Sequence, residues 1–231
     1  MEETEAPEPF ARLSTWIPNE APPEGQRAAL LRLAAAMRKI TEGLMDMDAP
    51  EADLIAAAEA SERFAEHLEA TRTGRRSWGF GETSPSGDTR ALFDHSPLLG
   101  MANPVAPPLK LWVEGDAVAG TAVFGKQYEG PPGHVHGGLV AAAFDEALGM
   151  VQAMTGQPGM TGTLTVRYRR PTPLHIEVRF RARVERVDGR KIFASGTLHA
   201  GETLCAEAEG VFIMTDYGRF RVEPDRPAGK G

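Results

Sequence analysis

The sequence predicts an α+β fold: a mostly antiparallel sheet curving around one long helix, with a helical hairpin ahead of it. Three observations lead there. In the middle of the chain, GPPGHVHGGLVAAAFDEALGM (residues 130–150) passes from a Gly/Pro loop into a helix-forming run that is apolar on nearly all sides. Such a helix needs cover on more than one face. Behind it, three long segments alternate apolar and polar residues with period two, joined by short turn signals. Ahead of it, two shorter segments of the same kind flank a Gly-Asp pair. The order β-β-α-β-β-β with hairpin connections makes the sheet antiparallel.

Taken in order, residues 1–22 are rich in Glu and Pro and are expected to be flexible. Residues 23–72 form the helical extension. In QRAALLRLAAAMRKITEGLM, Leu30, Leu33, Ala34, Met37 and Ile40 share one face. After the break MDMDAPEAD a second helix is expected from about Pro50 to Thr71, capped by Asp48, with Leu54, Ala57, Ala58 and Phe64 on its apolar side. Residues 73–108, broken by Gly and Pro, read as a linker hugging the main domain, with a short helical turn around Arg90–Leu92. The sheet domain spans residues 109–217, and 218–231 form a tail. Within the domain, LKLWVEG and AVAGTAVFG are the first two strands, and the central helix runs from about Gly137 to Met154. Then MTGTLTVRYRR sets Leu164, Val166 and Tyr168 against Thr165, Arg167 and Arg169. HIEVRFRARVERV sets Ile176, Val178, Phe180, Ala182 and Val184 against Glu177, Arg179, Arg181 and Arg183. Asp188-Gly189 and Gly201 mark the turns into KIFASGTLHA and TLCAEAEGVFIMT.

Composition bounds the function. The chain has 231 residues, 42% of them hydrophobic, which is enough for one ordinary core and an extension. Its net charge of -7 argues against broad nucleic-acid binding. No apolar run reaches ~18 uncharged residues, so no membrane span is expected. The acidic start MEETEAPEPF has neither a basic n-region nor an apolar h-region, so no secretory leader is expected. A single cysteine, Cys205, excludes an internal disulfide framework and fits a reducing, cytoplasmic setting. No GxSxG or GxGxxG motif is present, which disfavours an α/β-hydrolase and a Rossmann enzyme. His134-x-His136 is spaced like a metal pair, but no third ligand has suitable spacing, so neither metal nor other cofactor is expected.

The chemistry concentrates at the central helix. It opens with His136-Gly137-Gly138, where glycines let a ligand approach the backbone closely. The first N–H groups of a helix lack internal partners and form its electropositive end, which suits a carbonyl oxygen that becomes an oxyanion. Asp145 lies seven residues beyond Gly138, roughly 10 Å along the axis. One small reacting group cannot reach both on one helix. Two antiparallel copies would bring the amino end of one beside the carboxylate of the other, so a homodimer with composite sites is expected. Glu146, offset by about 100°, is the alternative carboxylate.

His136-Gly137-Gly138, six residues, Asp145, three residues, Gly149 resembles the motif of hotdog-fold acyl-CoA thioesterases of the phenylacetate-pathway type. FDHSPLLGMANPVAPPL, YEGPPGHVHGG and TGTLTVRYRRPTPL resemble the branch of thioesterase superfamily members 4 and 5, over about Phe93 to Thr215. The resemblance implies a hotdog fold, a long helix wrapped by an antiparallel sheet, in dimers or dimers of dimers. It implies metal-free hydrolysis of medium- to long-chain fatty acyl-CoA. Residue by residue, it implies Asp145 as general base or nucleophile, the Gly138 N–H as donor to the thioester carbonyl, His136 beside it, and Thr161 as the hydroxyl that orients water or carboxylate. Gly137 and His134 would line the substrate loop, and Arg169 and Arg170 would meet CoA phosphates. Many relatives carry an Asn six residues before the HGG histidine, where this chain has Gly130. The rival reading is a non-catalytic acyl-CoA-binding or regulatory hotdog protein.

Overall fold

The computed structural model describes residues 24–71, 94–157 and 159–215. The expected flexible start, the tail and the helical turn around Arg90–Leu92 lie outside them. Two helices come first, α1 (Gly25–Met45) and α2 (Glu51–Ala70). Strands β1 (Lys110–Glu114) and β2 (Ala117–Val123) are followed by a single 3-10 turn at Lys126–Tyr128 and by the central helix α3 (Gly137–Ala153). Four longer strands follow, one more than the expected order β-β-α-β-β-β has after the helix, because KIFASGTLHA and TLCAEAEGVFIMT form separate strands: β3 (Gly159–Tyr168), β4 (Glu177–Asp188), β5 (Lys191–Ala200) and β6 (Thr203–Met214). All six strands form one antiparallel sheet in the order β1-β2-β4-β5-β6-β3. With α3 against one face, this is a hotdog fold. Gly189 and Gly201 turn the chain between the last three strands at φ 54° and 56°, a region that residues with a Cβ enter at a cost.

The face that meets α3 is built from small residues in register. Ala182, Gly196 and Ala208 sit side by side across β4, β5 and β6, next to the pair Ala194 and Gly210. They form a trough that receives Phe144 and Leu148. A Cβ built at Gly196 would stand 3.3 Å from a Leu148 methyl and 3.4 Å from the Phe144 ring; one at Gly210 would stand 3.1 Å from Leu148. Larger side chains, among them Val178, Phe180, Ile192, Leu198 and Phe212, close the core around the trough. Phe180 meets Phe144 edge to face at 5.7 Å between ring centres, a favoured aromatic geometry. Val140, Ala143, Phe144, Ala147, Leu148 and Val151 are all buried. Ala141, Ala142, Asp145, Glu146 and Gly149 are only partly covered, so a small-residue stripe with the acidic pair marks the helix's outward side.

The extension is seated by polar contacts. Arg27 of α1 grips the buried Asp94 with two bonds, Nε to Oδ2 at 2.7 Å and Nη2 to Oδ1 at 3.1 Å. Arg38 donates to the Met101 carbonyl at 2.6 Å, and Ala34 is buried. The segment behind Asp94 feeds Leu99 and Leu109 into the core. Helix α2 buries none of its residues and leaves Leu54 and Ile55 exposed. Asp48 does not cap it; Pro50 holds the N-cap position, with no side-chain bond.

Candidate active site

Strand β3 lies at the sheet edge and is tied to α3 at three places. At its start, the buried Gln152 of α3 accepts from the Gly159 N–H at 2.9 Å and donates to the Gly159 carbonyl at 3.3 Å. Two residues on, the Thr161 hydroxyl donates to Asp145 Oδ1 at 2.8 Å. At the far end, the Tyr168 hydroxyl donates to the Gly137 carbonyl at 2.8 Å. The strand therefore runs antiparallel to the helix and contacts both ends of the expected constellation.

A bulge makes this possible. Tyr168, Val166 and Leu164 pair with Ala206, Ala208 and Gly210 on the core side of β6. Strict alternation from there would turn Thr161 outward with Thr165 and Arg167. The register slips between Thr161 and Thr163, where Gly162 is the extra residue, and Thr161 instead pairs with the buried Phe212. The slip returns its side chain to the helix side.

The two carboxylates differ. Asp145 has one oxygen fixed by Thr161, and among the described residues its other oxygen accepts no hydrogen bond. That oxygen remains available to a water or a carbon. Glu146 is half-buried with no hydrogen bond of its own among the described residues. Burial first, and the neighbouring Asp145 charge second, push its carboxyl up to about 7.

The helix start is equally specific. His136 is the N-cap, and its Nδ1 accepts from the Gly138 N–H at 3.0 Å. The Leu139 and Val140 N–H groups share the His136 carbonyl at 2.9 and 3.3 Å. Among the described residues, no acceptor takes the Gly137 N–H. The Gly138 N–H, expected as the oxyanion donor, is thus already engaged, and the Gly137 N–H is the open one.

The preceding loop is held by Glu129, which accepts from the Gly133 N–H at 2.6 Å and pairs with Lys126 at 2.7 Å. Lys126, and then the Gly133 N–H, hold the Glu129 carboxyl below its usual range. A Cβ at Gly130 would stand 2.7 Å from the His136 Cα. This backbone therefore has no room for the Asn that many relatives carry there. His134 is turned to its own loop, with Nδ1 2.9 Å from the Pro132 carbonyl. Of the two strand-end arginines, Arg169 pairs with Glu207 at 2.7 Å. Arg170 is exposed, and no carboxylate pairs with it among the described residues. The structure thus brings Asp145 to Thr161 and His136 to Gly138, and it leaves Arg169 and Arg170 outside that cluster. Sequence reasoning missed Gln152 and Tyr168. A glutamine inside an otherwise apolar helix was the available signal for the first.

Fold and site together define a hotdog protein organised around a helix amino end and a hydroxyl-bonded carboxylate. Residues 132–207 match the thioesterase superfamily model. A crystal structure of a thioesterase superfamily protein is 36% identical and superposes with a TM-score of 0.73, covering 84% of this chain and 93% of that one. The chain belongs to the thioesterase superfamily. It is also similar to acyl-coenzyme A thioesterase THEM4 of Xenopus laevis, 38% identical over 91 residues, 38% of this chain and 41% of that protein. Acyl-coenzyme A thioesterase THEM5 of Homo sapiens is 30% identical over 92 residues, 39% of this chain and 37% of that protein. The matched region thus spans about two fifths of the length of these curated relatives.

Proposed function

We propose that this protein hydrolyses fatty acyl-CoA thioesters, medium to long chain, through metal-free HGG…Asp chemistry of the phenylacetate-pathway type. The observation that carries the reading is the Asp145–Thr161 pair at 2.8 Å, on the same helix as an open N–H at Gly137. The thioester carbonyl docks at that helix end. Asp145 attacks the carbonyl carbon or takes a proton from an attacking water. The oxyanion is received by the Gly137 N–H and the positive end of the helix, while the Gly138 N–H fixes the His136 ring beside it. The C–S bond then breaks, and on the water route the CoA thiolate takes up the proton removed from the water. On the direct-attack route, expulsion of the thiolate leaves an acyl–Asp145 anhydride, which a water hydrolyses, its proton passing to the thiolate. On either route free acid and CoA thiol result and Asp145 is regenerated. Thr161 holds one Asp145 oxygen so that the other faces the reacting carbon. Arg170, with no carboxylate partner among the described residues, is the more available of the two arginines to meet CoA phosphate; Arg169 would first have to leave Glu207.

The working unit is a homodimer. Gly137 and Asp145 lie roughly 12 Å apart along one helix axis, too far for one carbonyl. The partly covered outward side of α3 and the edge position of β3 are the surfaces that a second copy would complete, with antiparallel helices sharing two sites. Free-thiol release from a panel of acyl-CoAs of increasing chain length tests the activity, and light scattering with activity on dilution tests the dimer. No release from any acyl-CoA would overturn the first; a fully active monomer would overturn the second.

A further inference from the structure

The two glycines at the start of α3 pose a problem for catalysis. A preorganised oxyanion donor must point in one direction before the charge forms. A Gly-Gly pair is the most conformationally free dipeptide a chain can place there. Something has to fix it. The His136 ring restrains the Gly138 N–H from one side. On the other side, one side chain reaches the same peptide group. The Tyr168 hydroxyl donates to the Gly137 carbonyl at 2.8 Å, and its ring lies 3.4 Å from where a Gly137 Cβ would be.

Resting on the thioesterase reading above, we infer that Tyr168 is a positioning residue: it clamps the Gly137–Gly138 peptide so that the Gly137 N–H is held toward the substrate carbonyl. The carbonyl that Tyr168 binds and the N–H that His136 accepts belong to one peptide unit. The three groups form a relay, Tyr168 hydroxyl to Gly137 carbonyl, then Gly138 N–H to His136 Nδ1. Each bond polarises the peptide in the direction that strengthens the other. The relay consumes the Gly138 N–H and leaves the Gly137 N–H as the donor with no acceptor among the described residues. It also makes β3 the element that sets both halves of the chemistry. Its Thr161 aims the carboxylate, and its Tyr168 aims the oxyanion donor.

The test is Tyr168→Phe in the full chain, which keeps the ring and removes the hydroxyl. Both proteins are assayed with the acyl-CoA that the wild type turns over fastest. The expected result is a kcat lowered about three- to tenfold, the rate equivalent of one neutral hydrogen bond. KM and melting temperature should stay near wild type, because the lost contact acts on the transition state. In protein labelled with carbonyl-13C glycine, the Gly137 carbonyl resonance should move upfield as its hydrogen bond is lost. Unchanged kcat in a variant of an active wild type overturns the clamp and leaves the thioesterase reading standing. A loss confined to KM, or one that tracks a fall in melting temperature, overturns it as well, by making the tyrosine a binding or packing residue. An unmoved Gly137 resonance does the same. A wild type that hydrolyses no acyl-CoA removes the reading and this inference together.

Discussion

Replacing Glu146 by Gln should stabilise the protein at alkaline pH and leave it unchanged at acid pH. The carboxyl sits half-buried beside Asp145, and burial followed by that charge raises it from 4.5 to about 7. Below about pH 4.5 the folded and unfolded chains both hold the proton, so it contributes no difference. Between 4.5 and 7 the unfolded chain gives the proton up while the fold retains it, and stability falls as pH rises. Above 7 the fold carries the charge as well, and the loss is complete. At ~1.4 kcal/mol for each tenfold change in proton affinity, the full loss is about 3 kcal/mol. Gln mimics the protonated form in shape and charge, so the variant should escape this loss. For a chain of this size, that corresponds to a melting temperature higher by about 6–12 °C at pH 8. The assay is thermal or urea denaturation of both proteins across pH 4 to 8.5. Parallel curves over the whole range would mean that Glu146 ionises in the fold as it does in water, and would refute the reasoning.

Asp145→Asn should keep the fold and lower kcat by ~10²–10⁴ with acyl-CoA binding retained, measured by steady-state hydrolysis and by ligand titration; Glu146→Gln should leave kcat far less affected. Thr161→Val preserves shape but removes a hydrogen bond to a carboxylate, so kcat should fall about 10- to 150-fold, read in the same assay. A chain beginning near residue 90 should still fold and retain hydrolysis, with a lowered melting temperature because Asp94 loses the Arg27 guanidinium and is left as a lone buried carboxylate. Adding Asp94→Asn should recover part of that loss.

The fold was largely legible because its signals are local. The apolar run of α3, the period-two segments and the Gly-centred turns each report on neighbours a few residues away. Strand order is not local: β3 follows α3 in sequence yet pairs with the last strand, β6. At the site, the helix start and Asp145 were legible as residue types in a pattern. The part of Thr161 came only from the family resemblance, not from the residue pattern. Plain alternation from Leu164 to Tyr168 puts Thr161 on the wrong face, and only the slip at Gly162 corrects it; a lone strand glycine is a weak sign of a bulge. Tyr168 reads as one more apolar member of its strand until the helix end lies beneath its hydroxyl. Arg27 and Asp94, 67 residues apart, leave no trace of each other in the sequence. The engagement of the Gly138 N–H by His136 is a matter of one ring's rotamer, which sequence does not encode on its face.

The Ala/Gly trough under α3 also decides where a molecular ruler for ligand length can be. Helix and sheet approach so closely there that even an added methyl at Gly196 or Gly210 meets Leu148 or Phe144. No hydrocarbon tail can thread between them without prising the core open. Under the proposed thioesterase reading, discrimination between short and long acyl chains falls to the opposite, outward side of the helix, where Ala142 and Gly149 are partly covered. Under the same reading, substitutions at Ala142 or Gly149 should shift the preferred acyl length while leaving the packing beneath α3 intact.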